Sequence, residues 1–525
     1  MTTTPSNTSA RKLNLPDITL GSVRLGAFTL AFWGIAALIV AAMVMVHIAA
    51  GITLPAPWGD EAFFVWQGRA FERWGNFAAP ELDATRPIML LPYIYQSIMG
   101  AAFKIFGYSF ELARGLSLLF TITGFVLLAA GAKLRAAPLA GLILIGAFMM
   151  NATFVAMANN ARMEALLFAV VCGAMLLMQR ERIWTALAIL AISPMIHPNG
   201  VLFLATAVVY ALAAHRIYRV RPSRTALVVF SIALFAWLAN GLYAVSHWQG
   251  LMHDIAYRFS ETTTATSGWS QFGGWYAVAL LLIIATGAVG AWRKARIGYL
   301  ITFAIGSWLM WRVRIEQWYE VFGALAYLLL SLAILEIATQ VLPQLKTRFG
   351  SAPRWAVATA MLIGLIGFNL ITGHVPGPKG YIEDLNVEGM GVAGSVKYFT
   401  PEDRAALETY VRDSEAGGAK TFEVYPWGDT LLIGNFEKSG MRFQIPYFDP
   451  AYSAGGKTWA WGFGPVEWPT ADVYVVRTSR YQPRWLDERF KMTLARAERR
   501  TGKKAEVLRS RDGTEIWYAI RTGTP

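Results

Sequence analysis

The sequence predicts a polytopic α-helical membrane protein with about eleven transmembrane crossings, followed by a small α/β domain. Three observations carry that prediction. Of the 525 residues, 55% are apolar and only 15% charged, against about 25% charged in a globular domain, and mean hydropathy is +0.40. Long apolar stretches recur from Val23 to Ile371, each closed by a short charged or Gly/Pro break, which is the pattern of a helical membrane domain. From about Pro376 onward no stretch is long and apolar enough to span a bilayer. Residues 1–374 are therefore read as a membrane domain and 375–525 as a separate α/β domain.

Charge agrees with this division. Residues 375–525 hold 21 Lys/Arg and 20 Asp/Glu, leaving 26 Lys/Arg and 14 Asp/Glu for the rest, where nearly all of the net +13 resides. Basic residues between apolar segments set orientation, so the high pI is no argument for nucleic-acid binding. The single cysteine, Cys172, lies in an apolar stretch, which excludes an intrachain disulfide or a cysteine metal cluster. The first apolar stretch, about Leu25–Ala50, is too long for a cleaved signal peptide and reads as a retained anchor.

Basic runs fix the topology. They fall at Arg11-Lys12, Lys133/Arg135, Arg180/Arg182, Arg216–Arg224, Arg293–Arg296 and Lys346–Arg354. All are expected on the cytoplasmic side, and from Arg135 onward two apolar helices separate each neighbouring pair. The expected crossings are 24–50, 112–131, 137–151, 163–179, 183–196, 198–214, 225–245, 274–291, 297–311, 318–341 and 355–373. Pro87–Phe106 is placed instead as an interfacial or re-entrant helix, because Pro92 and Lys104 make it a poor span and a crossing there would invert every later basic run. The N-terminus is then inside, and 375–525 lie outside the inner (plasma) membrane, in the periplasm.

Helix 183–196 has 14 residues. It covers roughly 21 Å at 1.5 Å per residue, short of an apolar core of about 30 Å. The turn His197-Pro198-Asn199-Gly200 should thus be recessed below the outer surface. In the tail, Pro401–Ala416 reads as a helix with Thr400 as its cap. Thr421–Tyr425, Asp472–Arg477, Ala505–Arg509 and Glu515–Ile520 read as strands, Trp485–Arg500 as a basic helix and Val375–Gly380 as the linker.

Polar groups gather at the expected outer ends of the helices. Asp60-Glu61 follows the first crossing. Its bland reading is a solvated acidic loop, or Asp60 as the N-cap of a helix over Ala62–Trp74; its functional reading is a carboxylate that takes a proton from a hydroxyl. Arg86 opens the interfacial helix, either as a snorkelling residue or as a phosphate contact. Arg162 and Glu164 start the fourth crossing as an interfacial ion pair or as pocket groups. His197 sits in the recessed turn with no second histidine at metal-ligand spacing; a hydrogen-bonded structural role is its bland reading. Arg258 lies on the long outer loop among aromatics, where His247 and His253 read as interfacial residues. Arg312, Arg314, Glu316 and Tyr319 crowd a later outer loop, against the positive-inside tendency, which favours a bound anion. No nucleotide-binding loop and no Asp-x-Asp motif is present. An activated donor at that face would have to arrive on a lipid, with phosphate as leaving group.

At these residues the sequence resembles the GT-C glycosyltransferases, and within them glycosyltransferase family 39 and the bacterial aminoarabinose transferases that modify lipid A. The matching segments are Gly59-Asp60-Glu61-Ala62, Arg86-Pro87-Ile88 running to Tyr95 and Phe106-Gly107, Asn160–Phe168, Ile192–Gly200, Ile255–Trp275 and Trp318-Tyr319, spread over about 24–340. The resemblance implies a helical GT-C fold, a polyprenyl-phosphate sugar donor and an inverting transfer to an acceptor hydroxyl at the outer face. Asp60 looks like the family's acidic residue of the first outer loop, a general base or an acceptor-orienting group, with Glu61 beside it. Glu164 takes the place of a second carboxylate, usually Asp. Arg86 falls where relatives often carry Lys and should touch the donor phosphate. Arg162, His197, Arg258, Arg312, Arg314 and Tyr319 complete the expected donor-binding set. His197–Gly200 departs from the Lys-Gly of the aminoarabinose enzymes.

The expected partners are the lipid-linked donor, membrane lipids, and a lipid, glycan or protein acceptor, with no nucleic acid. No cofactor is required, although Asp60, Glu61 and Glu164 could hold a divalent metal. The alternatives are an oligosaccharide ligase or polymerase with a diphosphate-linked donor, and a transporter or flippase of lipid-linked sugars.

Overall fold

The structure, a computed structural model, describes residues 17–20, 23–50, 59–77, 92–135, 137–150, 152–218, 222–252, 281–282, 284–286, 297–313, 320–341, 401–425, 442–444, 471–477, 491, 494–495, 497–511 and 514–522. Most of the crossing expected at 274–291, all of that at 355–373, the linker Val375–Gly380 and the cap Thr400 lie outside these residues.

A short antiparallel hairpin, β1 (Asp17–Leu20) and β2 (Val23–Gly26), precedes the first helix; apolar content there read only as the start of a span. Helix α1 (Ala27–Ala50) follows. Next come α2 (Gly59–Trp74) and α3 (Ile94–Phe106). Both pack into the bundle: every residue from Glu61 to Ala70 is buried. They approach closely through glycines, since a Cβ on Gly100 would fall 2.5 Å from the Gly68 carbonyl oxygen. Gly107, at φ +83°, turns the chain from α3 into α4 (Phe110–Lys133), a conformation that suits residues without a Cβ. Ser109 starts α4 by accepting from Leu112 N at 3.0 Å, and Glu111 and Lys133 lie at the ends whose helix-dipole charges they oppose.

Helices α5 (Pro138–Met149) and α6 (Ala152–Ala158) lead to α7 (Met163–Gln179). The core sits between α4 and α7. There Gly124 is flush against Phe168, whose Cε1 would lie 2.2 Å from an added Cβ. Helices α8 (Ile183–Leu190) and α9 (Ser193–Ile196), a 3-10 turn at Pro198–Gly200, α10 (Val201–Tyr218), α11 (Arg224–Ser246), α12 (Gly298–Val313) and α13 (Glu320–Val341) follow among the described residues. By length and composition, α1, α4 and α11 are long and apolar enough to cross a membrane; α5, α7, α12, α13 and the run through α8–α10 are shorter apolar helices.

Two expectations are corrected. Asp60 does not cap a helix over Ala62–Trp74, because α2 begins at Gly59 and takes Asp60 into its first turn. Residues 183–196 are not one helix: α8 stops at Leu190. Pro194 has no N–H to return to the Leu190 carbonyl; the Ser193 hydroxyl donates to it instead, at 2.6 Å.

The terminal residues form a five-stranded sheet in the order β4-β3-β5-β7-β6. Its strands are β3 (Thr421–Tyr425), β4 (Arg442–Gln444), β5 (Val473–Arg477), β6 (Glu506–Arg511) and β7 (Thr514–Arg521). β3 pairs in parallel with β4 and β5, whereas β7 is antiparallel to β5 and β6. Alternation divides the residues as a pleat requires. Phe422, Val424, Val473, Val475 and Trp517 bury with Leu407 and Val411 of α14 (Pro401–Ala416). Tyr474 and Ile520 bury with Ala471 and Ala497.

Candidate active site

The apolar bundle encloses a polar cluster at one end, where α1 and α6 finish and α4 and α7 begin. Glu61, in the first turn of α2, is fully buried, as is Arg114, one turn into α4. They form a two-pronged ion pair: Arg114 Nε and Nη2 donate to Glu61 Oε1 and Oε2, each at 2.8 Å. The backbone N–H of Ala161 donates to Oε1 at 2.7 Å. The Arg114 guanidinium also lies over the Phe110 ring, 4.6 Å from its centroid. A carboxylate so occupied is compensated and held in one orientation, because a polar group this deep in apolar surroundings needs hydrogen-bonded partners.

A second pair begins where the first ends. Arg162, the residue after Ala161, reaches Glu164 through Nε at 3.2 Å and Nη2 at 2.9 Å. His197 Nε2 is 3.9 Å from Glu164 Oε1. The other His197 nitrogen, Nδ1, accepts from Asn199 N at 3.1 Å. A nitrogen that accepts carries no proton, so in the neutral ring the proton sits on Nε2, directed toward the Glu164 side. Segment 159–162 is therefore the hub: Ala161 holds Glu61, Arg162 holds Glu164, and Asn159 is hydrogen-bonded to His47 Nδ1 in the last turn of α1.

Around the hub lie groups that sequence reasoning did not single out. Tyr95 OH bonds Ser117 Oγ at 2.8 Å, and Gln96 donates to Gln67 Oε1 at 3.2 Å, all four buried. An aromatic rim stands at the same end, with Phe77 stacked on Tyr93 at 4.1 Å and Tyr93 edge-on to Tyr243 at 5.9 Å. His247, at the end of α11, is exposed beside Tyr243.

Glu61, Arg162, Glu164 and His197 are thus brought together. The backbone of Asp60 is in the first turn of α2, one residue from Glu61, and Arg312 is on α12; the side chains of both lie outside the described residues. So do Arg86, Arg258, Arg314 and Tyr319, and with them His253 and Glu316. Among the described residues no three His, Cys, Asp or Glu side chains gather as metal ligands. Arg114 carried a readable signal, being a charge one turn inside an apolar run, where ionisable residues are costly.

No family model matches the chain, and no curated protein does. Among solved structures it is similar to ArnT from Cupriavidus metallidurans bound to undecaprenyl phosphate. The identity is 13% and the TM-score 0.44, over 94% of this chain and 98% of that one. The apo state of the same protein gives 11% and 0.41, over 94% and 97%.

Proposed function

We propose that the protein is an integral-membrane glycosyltransferase of the GT-C kind, moving a sugar from a polyprenyl-phosphate carrier to an acceptor hydroxyl. The observation that carries this reading is the pair of buried carboxylate–guanidinium clamps, Glu61–Arg114 and Glu164–Arg162, converging with His197 at one end of an apolar bundle. Charged groups enclosed among membrane helices mark function rather than anchoring. We take that end as extracytoplasmic, with eleven crossings in 1–374 and residues 375–525 on the same side as the site.

The reaction is a single displacement. The acceptor oxygen attacks the anomeric carbon as the bond from that carbon to the phosphate oxygen breaks. The hydroxyl proton passes to Asp60, and the polyprenyl phosphate leaves with the bonding electrons, inverting the centre. Arg86, Arg258, Arg312, Arg314 and Tyr319 meet the phosphate, where guanidinium forks stabilise the growing charge. Glu61 and Glu164 do not accept the proton, since arginines occupy them; they are positioning residues that fix the first turn of α2 and the start of α7. His197, with Nε2 3.9 Å from Glu164, serves there as an N–H donor. The test is Asp60→Asn in a membrane preparation supplied with carrier lipid bearing labelled sugar. Transfer should be abolished; near-normal turnover removes Asp60 as the base.

One observation favours a second reading. The break between α8 and α9, beside a buried histidine, is of the kind that transporters place at their binding sites. A carrier-lipid transporter would move labelled carrier across a vesicle membrane intact, whereas a transferase releases the sugar from it.

A further inference from the structure

A broken helix among membrane segments must have its freed carbonyls met by protein donors, because lipid supplies none. The break after α8 can be followed carbonyl by carbonyl. That of Leu190 is met by the Ser193 hydroxyl at 2.6 Å. That of Ile192 takes Met195 N at 2.9 Å, and that of Ser193 takes His197 N at 3.0 Å. An unbroken α-helix would send Met195 N to Ala191 O, four residues back; here Met195 N goes three residues back, and the Ala191 oxygen is left to another donor. That donor is Trp237, whose indole Nε1–H reaches Ala191 O at 2.8 Å.

Trp237 comes from α11, whose described apolar side chains mostly face outward; Ala226 and Ala233 are its buried residues. Beyond the break the chain is held tightly. Ser193 Oγ also donates to Gly200 O at 2.9 Å, and a Cβ on Gly200 would fall 2.4 Å from the Ser193 carbonyl oxygen. The orientation of His197 therefore depends on the winding of the three residues between Ala191 and Met195.

We propose that Trp237 is a positioning residue: its indole N–H holds the α8–α9 break open and so sets the angle at which His197 faces Glu164. Without that donor, Met195 N can return to Ala191 O. The turn then winds from about 3.0 to about 3.6 residues per turn, roughly 20° less rotation for each residue so converted. The imidazole moves away from the Glu164 carboxylate accordingly.

The test replaces Trp237 with β-(3-benzothienyl)alanine, in which sulfur stands for the N–H and the ring shape is kept, and separately makes Trp237→Phe. Amide hydrogen exchange of the peptide covering 191–200 is read in the full-length protein in detergent, and transfer kinetics in membranes. The kinetic arm rests on the glycosyltransferase reading; the exchange arm does not. In the benzothienyl variant, exchange over 191–200 should slow about tenfold, as the tight turn gives way to α-helical winding. kcat should fall by about tenfold with KM within about twofold, the pattern of a displaced group rather than a lost binding contact, and the melting temperature should stay near that of the parent. Unchanged or accelerated exchange in that variant overturns the proposal, as does slowed exchange with unchanged kcat. If the parent itself transfers no sugar, the glycosyltransferase reading fails, and exchange alone decides whether Trp237 holds the break.

Discussion

At the residue scale, the Glu61–Arg114 pair decides most. Both partners are fully buried, so removing one leaves an uncompensated charge in apolar surroundings. Arg114→Met should therefore cost about 3–5 kcal/mol of stability, read as a lower midpoint in denaturant unfolding of the detergent-solubilised protein. Glu61→Gln on the same background removes the stranded charge and should recover a large part of that loss. A double variant no more stable than Arg114→Met would show that Glu61 is not held by this arginine. Glu61, Arg162, Glu164 and His197 were legible in sequence because each stands at the edge of an apolar run, where a charge calls for an explanation. Arg114 was passed over because it shares its turn with Glu111 and the run reads as an ordinary span. That it closes on a carboxylate 53 residues earlier is a tertiary fact.

At the element scale, the α2–α3 contact shows how a backbone can hold a site. Gly100 lets α3 lie against the Gly68 carbonyl, and its added Cβ would meet that oxygen at 2.5 Å and Phe71 Cδ1 at 2.9 Å. Backbone cannot step aside as a side-chain tip can. Gly100→Ala should cost about 1–3 kcal/mol and lower transfer activity by shifting α2, which carries Asp60 and Glu61; a stable and fully active variant would refute this. A second prediction concerns β3 and β5. Partial burial raises the pKa of Asp472, but the backbone N–H groups of Lys420 and Thr421 and the Thr421 hydroxyl, all donating to its carboxylate, outweigh that and hold it below the ordinary value. A depressed carboxylate stabilises the fold above its unfolded pKa, about 3.9 for Asp, and that stability is lost as pH falls through the lower folded value. Unfolding of the α/β unit should thus become acid-sensitive below about pH 4, and Asp472→Asn should flatten that dependence. Helices were the legible elements here: α7 and α14 begin and end where hydropathy and charge placed them. The short β4 and the β1–β2 hairpin were not, since three or four residues carry too little alternation to register. Nor was the break after α8 read, although Ser193-Pro194 marks it in the sequence: hydropathy, which set that span, does not register a missing N–H.

At the scale of the whole molecule, composition predicts an apolar bundle followed by an α/β unit, but it carries no signal for where the sheet and α14 rest on the bundle. Arg404 of α14 donates to Glu111 at 3.1 Å, in the first turn of α4, three residues before Arg114. The buried apolar residues of that face of the α/β unit form one continuous cluster with those of the bundle. The ion pair is half-exposed and worth at most about 1 kcal/mol, so it reports the docking position rather than creating it. That position sets α14 against the first turn of α4, the helix that also carries Arg114. Chemistry makes this testable, because the chain's one cysteine, Cys172, is buried in the core. In a Glu111→Cys/Arg404→Cys variant a short bismaleimide should join the two introduced thiols within one chain and shift its gel mobility, while each single variant takes up one reagent without a shift. The transfer activity proposed above should survive the cross-link, since a contact already formed loses nothing by being fastened. Independent labelling of both thiols with no cross-link would mean that the α/β unit does not rest on α4. A cross-link that abolishes transfer would mean that it must lift during turnover.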